Sequence, residues 1–215
     1  MKSYATGIVF EGIPGTGKST IIKNLLKSEK YLEREFMPFF TYGEDITQRV
    51  LEDKHNRGMI TKEDNLNLLD DILASLERYN SYYIDRDWSK DETEHRFGFI
   101  LERFHLTHST YFNHIEWRDL EYIDDRLNRL NTKLCLFKMR REVMEERIIE
   151  SRCDRWRSYI SRFGKTNEEI IDYYYKKQEV KEELVRGSNL ESIIIDTSGG
   201  NWEEITKEVL DFWRI

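Results

Sequence analysis

Residues 12–19 read GIPGTGKS, a complete G-x-x-x-x-G-K-S phosphate-binding loop. It directly follows the apolar run Gly7, Ile8, Val9, Phe10 and precedes a helix-like stretch carrying Ile21, Ile22, Leu25 and Leu26. That context constrains the fold. A buried parallel strand must deliver the chain to a turn whose backbone N–H groups close around phosphate oxygens, and a Cβ in the turn would obstruct them. The helix behind the turn aims its free N–H groups and partial positive charge at the same anion. The pattern predicts Gly12, Ile13, Pro14, Gly15, Thr16, Gly17, Lys18, Ser19 and Thr20 as nucleotide-binding residues. Lys18 is expected on the β- and γ-phosphates and the Ser19 hydroxyl on Mg²⁺. ATP and Mg²⁺ are the expected ligands.

Five short runs of apolar, β-branched or aromatic residues read as strands: Thr6–Glu11, Glu35–Phe40, Phe97–Glu102, Lys133–Met139 and Ser192–Asp196. Helical patterns separate them. One opens at Thr61 with Asp64 three residues on, a capping-box signature, and carries Leu66, Leu69, Leu73, Leu76 and Tyr83 near one face. Another places Leu120, Ile123, Leu127 and Leu130 at three- and four-residue spacing. A third opens at Thr166 with Glu169 and stops at Gly187, and the last opens at Asn201. Alternating strands and helices imply a parallel sheet covered on both faces. Ligands collect beyond the carboxyl ends of such strands, which directs attention to Glu11, Phe40, Glu102, Met139 and Asp196. Neither a repeat nor a linker interrupts the 215 residues, which predicts one domain.

Composition narrows the partners. The net charge of −7 argues against a nucleic-acid polymer or an anionic membrane surface, both of which call for a basic face. Two cysteines, Cys135 and Cys153, cannot build a disulfide framework and lack metal-type spacing, so a reducing cytoplasm is the expected setting. Neither a signal-like leader nor an eighteen-residue apolar run is present.

The third strand ends in Glu102 and Arg103, an acid and an arginine behind mainly apolar residues. Glu102 is expected beside the Mg²⁺ hydration shell or the acceptor hydroxyl. Arg103 is expected on the acceptor or the transferring phosphate, whose oxygens suit its planar fork; the alternative is a structural ion pair. From Lys138 to Lys165 nine basic residues face five acidic ones, inside a chain that is acidic overall. This stretch suits a lid over polyphosphate, with Arg152, Arg155, Arg157 and Arg162 as candidates to neutralise charge during transfer. His105, His108 and His114 read as ordinary partly buried histidines rather than a metal site. The small-residue loop TSGGN, from Thr197, suits packing against an adenine base.

Taken together, the FEG before GIPGTGKST, the ILERFHLTHSTYF segment, the REVMEER stretch and SIIIDTSGGNWEEI resemble the thymidylate kinase and deoxynucleoside kinase branch of P-loop kinases over nearly the whole chain. The resemblance implies a three-layer sandwich with a five-stranded parallel sheet in order 2-3-1-4-5 and an arginine-rich lid near residues 147–165. It implies catalytic roles for Lys18, Glu102, Arg103, Arg152 and Arg155, with Ser19 and Glu102 at the metal. Arg147 and Thr197 would flank the donor base, the helix from Lys62 to Tyr83 would line the acceptor pocket with Arg78 a contact, and a homodimer is implied. Pro14 stands where thymidylate kinases usually carry an acid, and FMPFFTYGED replaces the deoxynucleoside kinases' Glu-Pro base, leaving Glu44 or Asp45 as substitutes. The expected activity is ATP- and Mg²⁺-dependent phosphoryl transfer to a small-molecule acceptor. Aromatic Phe39, Phe40, Tyr42 and Phe104 would favour a planar one, such as a pyrimidine deoxynucleoside or its monophosphate. A kinase for a non-nucleoside metabolite and an ATP-binding switch are the alternatives.

Overall fold

The computed structural model describes residues 3–28, 38–84, 97–112 and 114–214. In chain order the elements are β1 (Ala5–Glu11), α1 (Lys18–Leu25), β2 (Phe39–Tyr42), α2 (Glu44–Thr47), α3 (Glu52–Asn56), α4 (Lys62–Ile84), β3 (Phe97–Glu102) and α5 (His105–Tyr111). They continue with α6 (Glu121–Arg129), β4 (Thr132–Lys138), α7 (Asp154–Ile160), α8 (Asn167–Gly187), β5 (Ser192–Asp196) and α9 (Trp202–Trp213). A π-helical turn at Glu145–Glu150 leads into α7. The second strand runs two residues beyond the expected Phe40, because Thr41 and Tyr42 pair with Ile100 and Leu101; positions 35–37 of that expectation lie outside the described residues.

The five strands are parallel and ordered β2-β3-β1-β4-β5, as the sequence implied. Central strand β1 pairs on both sides, with Phe10 opposite Glu102 and Cys135. Successive strand side chains point to opposite faces, and the core divides accordingly. Ala5, Val9, Phe97, Phe99, Leu101, Leu134 and Leu136 join Leu69, Leu73 and Leu76 of α4 on one face. Ile8, Phe10, Ile100, Cys135 and Phe137 join Ile21 and Leu25 of α1 and Val209, Leu210 and Trp213 of α9 on the other. A third cluster, Ile13, Met139, Met144, Ile148, Ile160, Ile170, Ile171 and Tyr174, packs the lid region against the phosphate loop. The caps at Thr61 and Thr166 form as reciprocal capping boxes: Asp64 N–H donates to Thr61 Oγ1 at 3.1 Å, and Glu169 N–H donates to Thr166 Oγ1 at 3.2 Å.

Behind the sheet's carboxyl end lies a buried polar junction. Glu11 closes β1 with no exposed surface, and Lys181 Nζ of α8 lies 2.5 Å from its Oε2. Thr107 of α5 donates to the same carboxylate through its N–H at 3.1 Å and its hydroxyl at 2.7 Å. Burial pushes the Glu11 carboxyl up, but the charge and hydrogen bond of Lys181, with the Thr107 hydroxyl and His105, together hold it below the ordinary value. Burial pushes Lys181 down to about 8, opposed by Glu11, so the pair is charged at neutral pH. Removing one member strands a charge in the interior. Lys181→Met is therefore expected to lower the unfolding free energy by about 3–5 kcal/mol in urea titration, whereas Glu11→Leu with Lys181→Met recovers most of that loss. Equal losses in the single and double variants would show that the pair is not coupled.

Candidate functional site

The phosphate loop takes the shape that its glycines permit. Gly12 has φ 144° and Gly17 φ 81°. A Cβ at Gly12 would lie 2.6 Å from the Phe137 carbonyl oxygen, and one at Gly17 would lie 2.2 Å from the Trp202 ring. The cradle therefore stays open only with glycine at both positions. Lys18 is buried, and its Nζ donates to Gly12 O at 2.9 Å and Ile13 O at 3.0 Å, with Thr16 Oγ1 at 3.3 Å. Burial, then the charge of Arg103, pushes Lys18 well below its ordinary value. A polyanion in the cradle would reverse that electrostatic penalty. Ser19 Oγ donates to Glu102 Oε1 at 3.5 Å, which joins the two expected metal residues.

Glu102 and Arg103 stand at the end of β3, and both are buried. Arg103 has a left-handed backbone, φ 54°, which non-glycine residues seldom adopt outside constrained sites. Its N–H is held by Phe10 O at 2.9 Å. The guanidinium Nε lies 2.9 Å from Glu44 Oε2 of α2. Thr47 closes α2 and donates its hydroxyl to Glu102 O at 2.5 Å, while His108 Nε2 lies 2.8 Å from Thr47 O and Nδ1 lies 2.8 Å from Asn65 Oδ1. His105 is likewise buried, 2.9 Å from Asp124. These histidines brace the site's wall, and no metal-type cluster of His, Cys, Asp or Glu occurs among the described residues.

A cavity of about 610 Å³ opens beside the loop. Pro14 lines it at the phosphate end, with Glu44, Gln48, Arg49, Glu52 and His55 on one side and Arg155, Trp156, Tyr159, Arg162 and Phe163 on the lid side. Arg103, Tyr111, Phe112, Tyr173 and Tyr174 complete the wall. The acceptor-pocket expectation needs correction on two points. Helix α4 contributes no lining residue, because its apolar face is spent on the sheet, and Arg78 is exposed on the far side. Phe39, Phe40, Tyr42 and Phe104 do not line the cavity either. Phe39 packs edge-on against Trp213, Phe40 stacks on Tyr79 at 5.0 Å, Tyr42 meets Ser75, and Phe104 is fully buried in the core. The cavity's aromatics come from α5, the lid and α8. The adjacent tyrosines at 173–175 are plain in the sequence, but their convergence with α5 on Pro14 is not.

The lid arginines separate by direction. Arg155 and Arg162 line the cavity, with Arg162 over the Tyr159 ring at 3.7 Å. Arg152 turns away: its Nε donates to Arg147 O at 3.1 Å and its guanidinium lies 5.7 Å from the Trp156 ring centre. Arg157 pairs with Asp154 on an exposed surface. Arg147 bridges to the loop after β5, donating to Thr197 O at 2.8 Å and Ser198 O at 3.0 Å, and lies over the Trp202 ring at 5.3 Å. A Cβ at Gly15 would lie 3.1 Å from the Arg147 carbonyl oxygen, so the phosphate loop, the lid and the TSGGN loop converge around one residue.

Known structures share this fold. The YorR protein of Bacillus subtilis, solved in complex with phosphorylated GDP, matches with TM-score 0.56 at 18% identity over 96% of this chain and 94% of its own. The thymidylate kinase of Candida albicans matches with TM-score 0.51 at 14% identity over 98% and 92%. A gluconokinase of Sinorhizobium meliloti 1021 matches with TM-score 0.50 at 15% identity over 98% and 93%. At these identities the likeness establishes the fold alone, a parallel five-stranded sheet covered by helices. Residues 8–87 also match the viral superfamily 1 RNA helicase core domain, a segment that includes the phosphate loop. No curated protein sequence matches the chain.

Arg147 holds two carbonyls of the loop after β5 in place. Arg147→Ala is expected to weaken binding of a non-hydrolysable Mg·ATP analogue about tenfold in calorimetry, the scale of one lost charged hydrogen bond, with the melting transition still cooperative. Unchanged affinity would place the donor base elsewhere.

Proposed function

We propose that the protein is an ATP- and Mg²⁺-dependent phosphotransferase acting on a nucleoside or nucleoside monophosphate. The observation that carries this reading is the junction of the phosphate loop with an acceptor-sized cavity, marked by Pro14 and flanked by Glu44, Arg103 and Arg155. A nucleotide switch has no need of that second chamber. Cavities of this volume suit small-molecule ligands, and the Tyr111, Phe112 and Tyr173 rings suit a planar one. Ser19 and Glu102 offer oxygen donors only, which fits Mg²⁺, an ion that binds few protein groups and keeps water and phosphate as its remaining ligands. Bound there, it would neutralise polyphosphate charge.

The residues divide the chemistry. Lys18 holds the β- and γ-phosphates. For a nucleoside acceptor, Glu44, fixed by Arg103 and with 36% of its side chain exposed, accepts the proton of the acceptor hydroxyl. A monophosphate attacks through an ionised phosphate oxygen and needs no such base. The attacking oxygen bonds to the γ-phosphorus as the bond from that phosphorus to the β–γ bridging oxygen breaks, and ADP leaves with the electron pair. Arg155 and Arg162 compensate the charge that spreads over the moving phosphoryl group. The fold shared with a thymidylate kinase supports a nucleotide-type acceptor. The fold shared with a gluconokinase, together with the polar wall of Glu44, Gln48, Glu52 and His55, supports a hydroxylated metabolite as the second reading.

A transfer screen of nucleosides, monophosphates and hydroxylated metabolites with Mg·ATP tests the reading. Product from nucleosides or monophosphates is expected; product only from metabolites would promote the second reading. Lys18→Ala is expected to abolish transfer while circular dichroism remains that of the folded protein, and near-normal turnover would sink the phosphate-loop assignment.

The lid is tested by contrast. Arg155→Ala is expected to lower kcat by about a hundredfold or more, the cost of losing one donor to developing charge. Arg152→Ala, whose side chain turns to the Arg147 carbonyl, is expected to cost far less. Equal effects would mean that the lid rearranges on closure and brings both arginines to the phosphate.

A further inference from the structure

Helix α2 is a single turn, Glu44–Thr47, and one turn has no stability of its own. It nevertheless presents Glu44 to the cavity, and Gln48 and Arg49, which follow it, line the same wall. Apolar packing does not hold it: Thr47 is its one buried residue, and Ile46 is half exposed. Its position therefore rests on what Thr47 touches. The Thr47 hydroxyl donates to Glu102 O at 2.5 Å. The Thr47 carbonyl, of the kind that a helix end leaves unpaired, lies 2.8 Å from Nε2 of His108.

His108 is fully buried on α5, and its two ring nitrogens meet two oxygens. Thr47 O faces Nε2 and Asn65 Oδ1 of α4 faces Nδ1, each at 2.8 Å. Satisfying both would take two N–H groups, hence an imidazolium. Burial pushes His108 down to about 4, against the Thr47 hydrogen bond and the charge of Glu11. The neutral ring has one N–H to give. The two claimants are unequal. By a half-turn of its amide, giving up its bond to the Thr61 carbonyl, Asn65 can offer nitrogen to a bare Nδ1. The Thr47 carbonyl belongs to the backbone and can only accept. The proton therefore belongs on Nε2.

We propose that His108 is a positioning residue: the Nε2–H bond it gives to Thr47 O holds α2, and with it Glu44, in place for the acceptor hydroxyl. This rests on the phosphotransferase reading and extends it to a residue that does not line the cavity. The contacts run from Asn65 through His108 and Thr47 to Glu102 O, and so tie α4, α5 and α2 to the end of β3. Helix α4 thereby serves the acceptor wall at second hand. Slack in α2 moves the base away from the hydroxyl it deprotonates, so the loss falls on kcat. The donor cradle is built on β1 and α1, which keeps Mg·ATP binding apart from this clamp.

Two variants separate the ends of the ring. A glutamine amide reaches the Nε2 position and an asparagine amide the Nδ1 position, so His108→Gln keeps the donor to Thr47 O and His108→Asn loses it. The readouts are amide hydrogen exchange at residues 46–48 and phosphoryl transfer from Mg·ATP to thymidine. His108→Asn is expected to speed that exchange and to lower kcat with thymidine, each about tenfold, the scale of one hydrogen bond, with KM for Mg·ATP unchanged. His108→Gln is expected to restore both. Equal losses in the two variants, rescue by asparagine alone, or faster exchange with kcat unchanged would overturn the proposal. Nitrogen NMR of the wild type needs no variant and is expected to find the ring proton on Nε2; a proton on Nδ1 alone would also overturn it. Transfer to thymidine monophosphate but not to thymidine would remove the role in placing Glu44 and leave the phosphotransferase reading standing. Transfer to neither, despite tight binding of a non-hydrolysable Mg·ATP analogue, would overturn both.

Discussion

The carboxylate of Glu11 is the point on which the site's geometry depends. It ends the central strand one residue before the phosphate loop, it is wholly buried, and it binds Lys181 of α8 and Thr107 of α5 together. Two elements distant in sequence are thereby fixed to the residue that launches the cradle. A buried ion pair contributes little net stability, because desolvation offsets its attraction. Its value here is positional. An apolar replacement could fill the space, yet it would not set the angle at which α8 brings Tyr173 and Tyr174 to the cavity wall.

Around that junction the molecule gathers more cation than a closed protein interior tolerates. Lys18, Arg103 and Lys181 act on one another, and Lys18 and Lys181 are both depressed, mainly by burial. Arg103 remains a firm cation: burial lowers it most, but Glu44, Tyr111, Glu102 and Glu11 together outweigh that cost. The strain is greatest at Lys18, whose direct partners are loop carbonyls and a hydroxyl rather than a carboxylate. A site whose lysine touches only dipoles, with Glu102 and Glu44 acting on it from farther off, is poised for an anion, because the anion supplies what those dipoles supply only in part.

The legible parts of the chain were those governed by local rules. Gly12 and Gly17 needed left-handed or extended-positive backbone, the Thr61 and Thr166 caps needed a partner three residues on, and alternating apolar runs needed a parallel sheet. Each of those signals lies within a few residues of its consequence. The cavity was not legible because its wall is assembled from five separated segments. Gln48 sits in an undistinguished polar stretch, Tyr111 ends a segment read for its histidines, and Lys181 is one charge among many on α8. The aromatics nearest the strand ends were the natural choice for a base-stacking wall, yet Phe39, Phe40 and Phe104 lie on strands and turns whose side chains the sheet's own layers claim first. Arg152 and Arg155, three residues apart, diverge because the chain leaves the π-helical turn and restarts at Cys153 between them.

Under the proposed phosphotransferase reading, that restart lets one segment serve two ends of a reaction. The π-helical turn is held by Ile148 and Ile149, packed in the cluster with Ile13 and Met139, and by Arg147 across the loop after β5. It belongs mechanically to the nucleotide side. Beyond Cys153, α7 is mostly exposed and keeps only Ile160 fully in the core, so fewer contacts oppose its movement. Regions with few buried apolar contacts open at low free-energy cost. Arg155 and Arg162 ride on this looser half, opposite a wall whose arginines are already paired. In the proposed phosphoryl transfer, the charge of Arg155 and Arg162 is applied as the phosphoryl group passes between the two walls rather than holding either ground state too firmly.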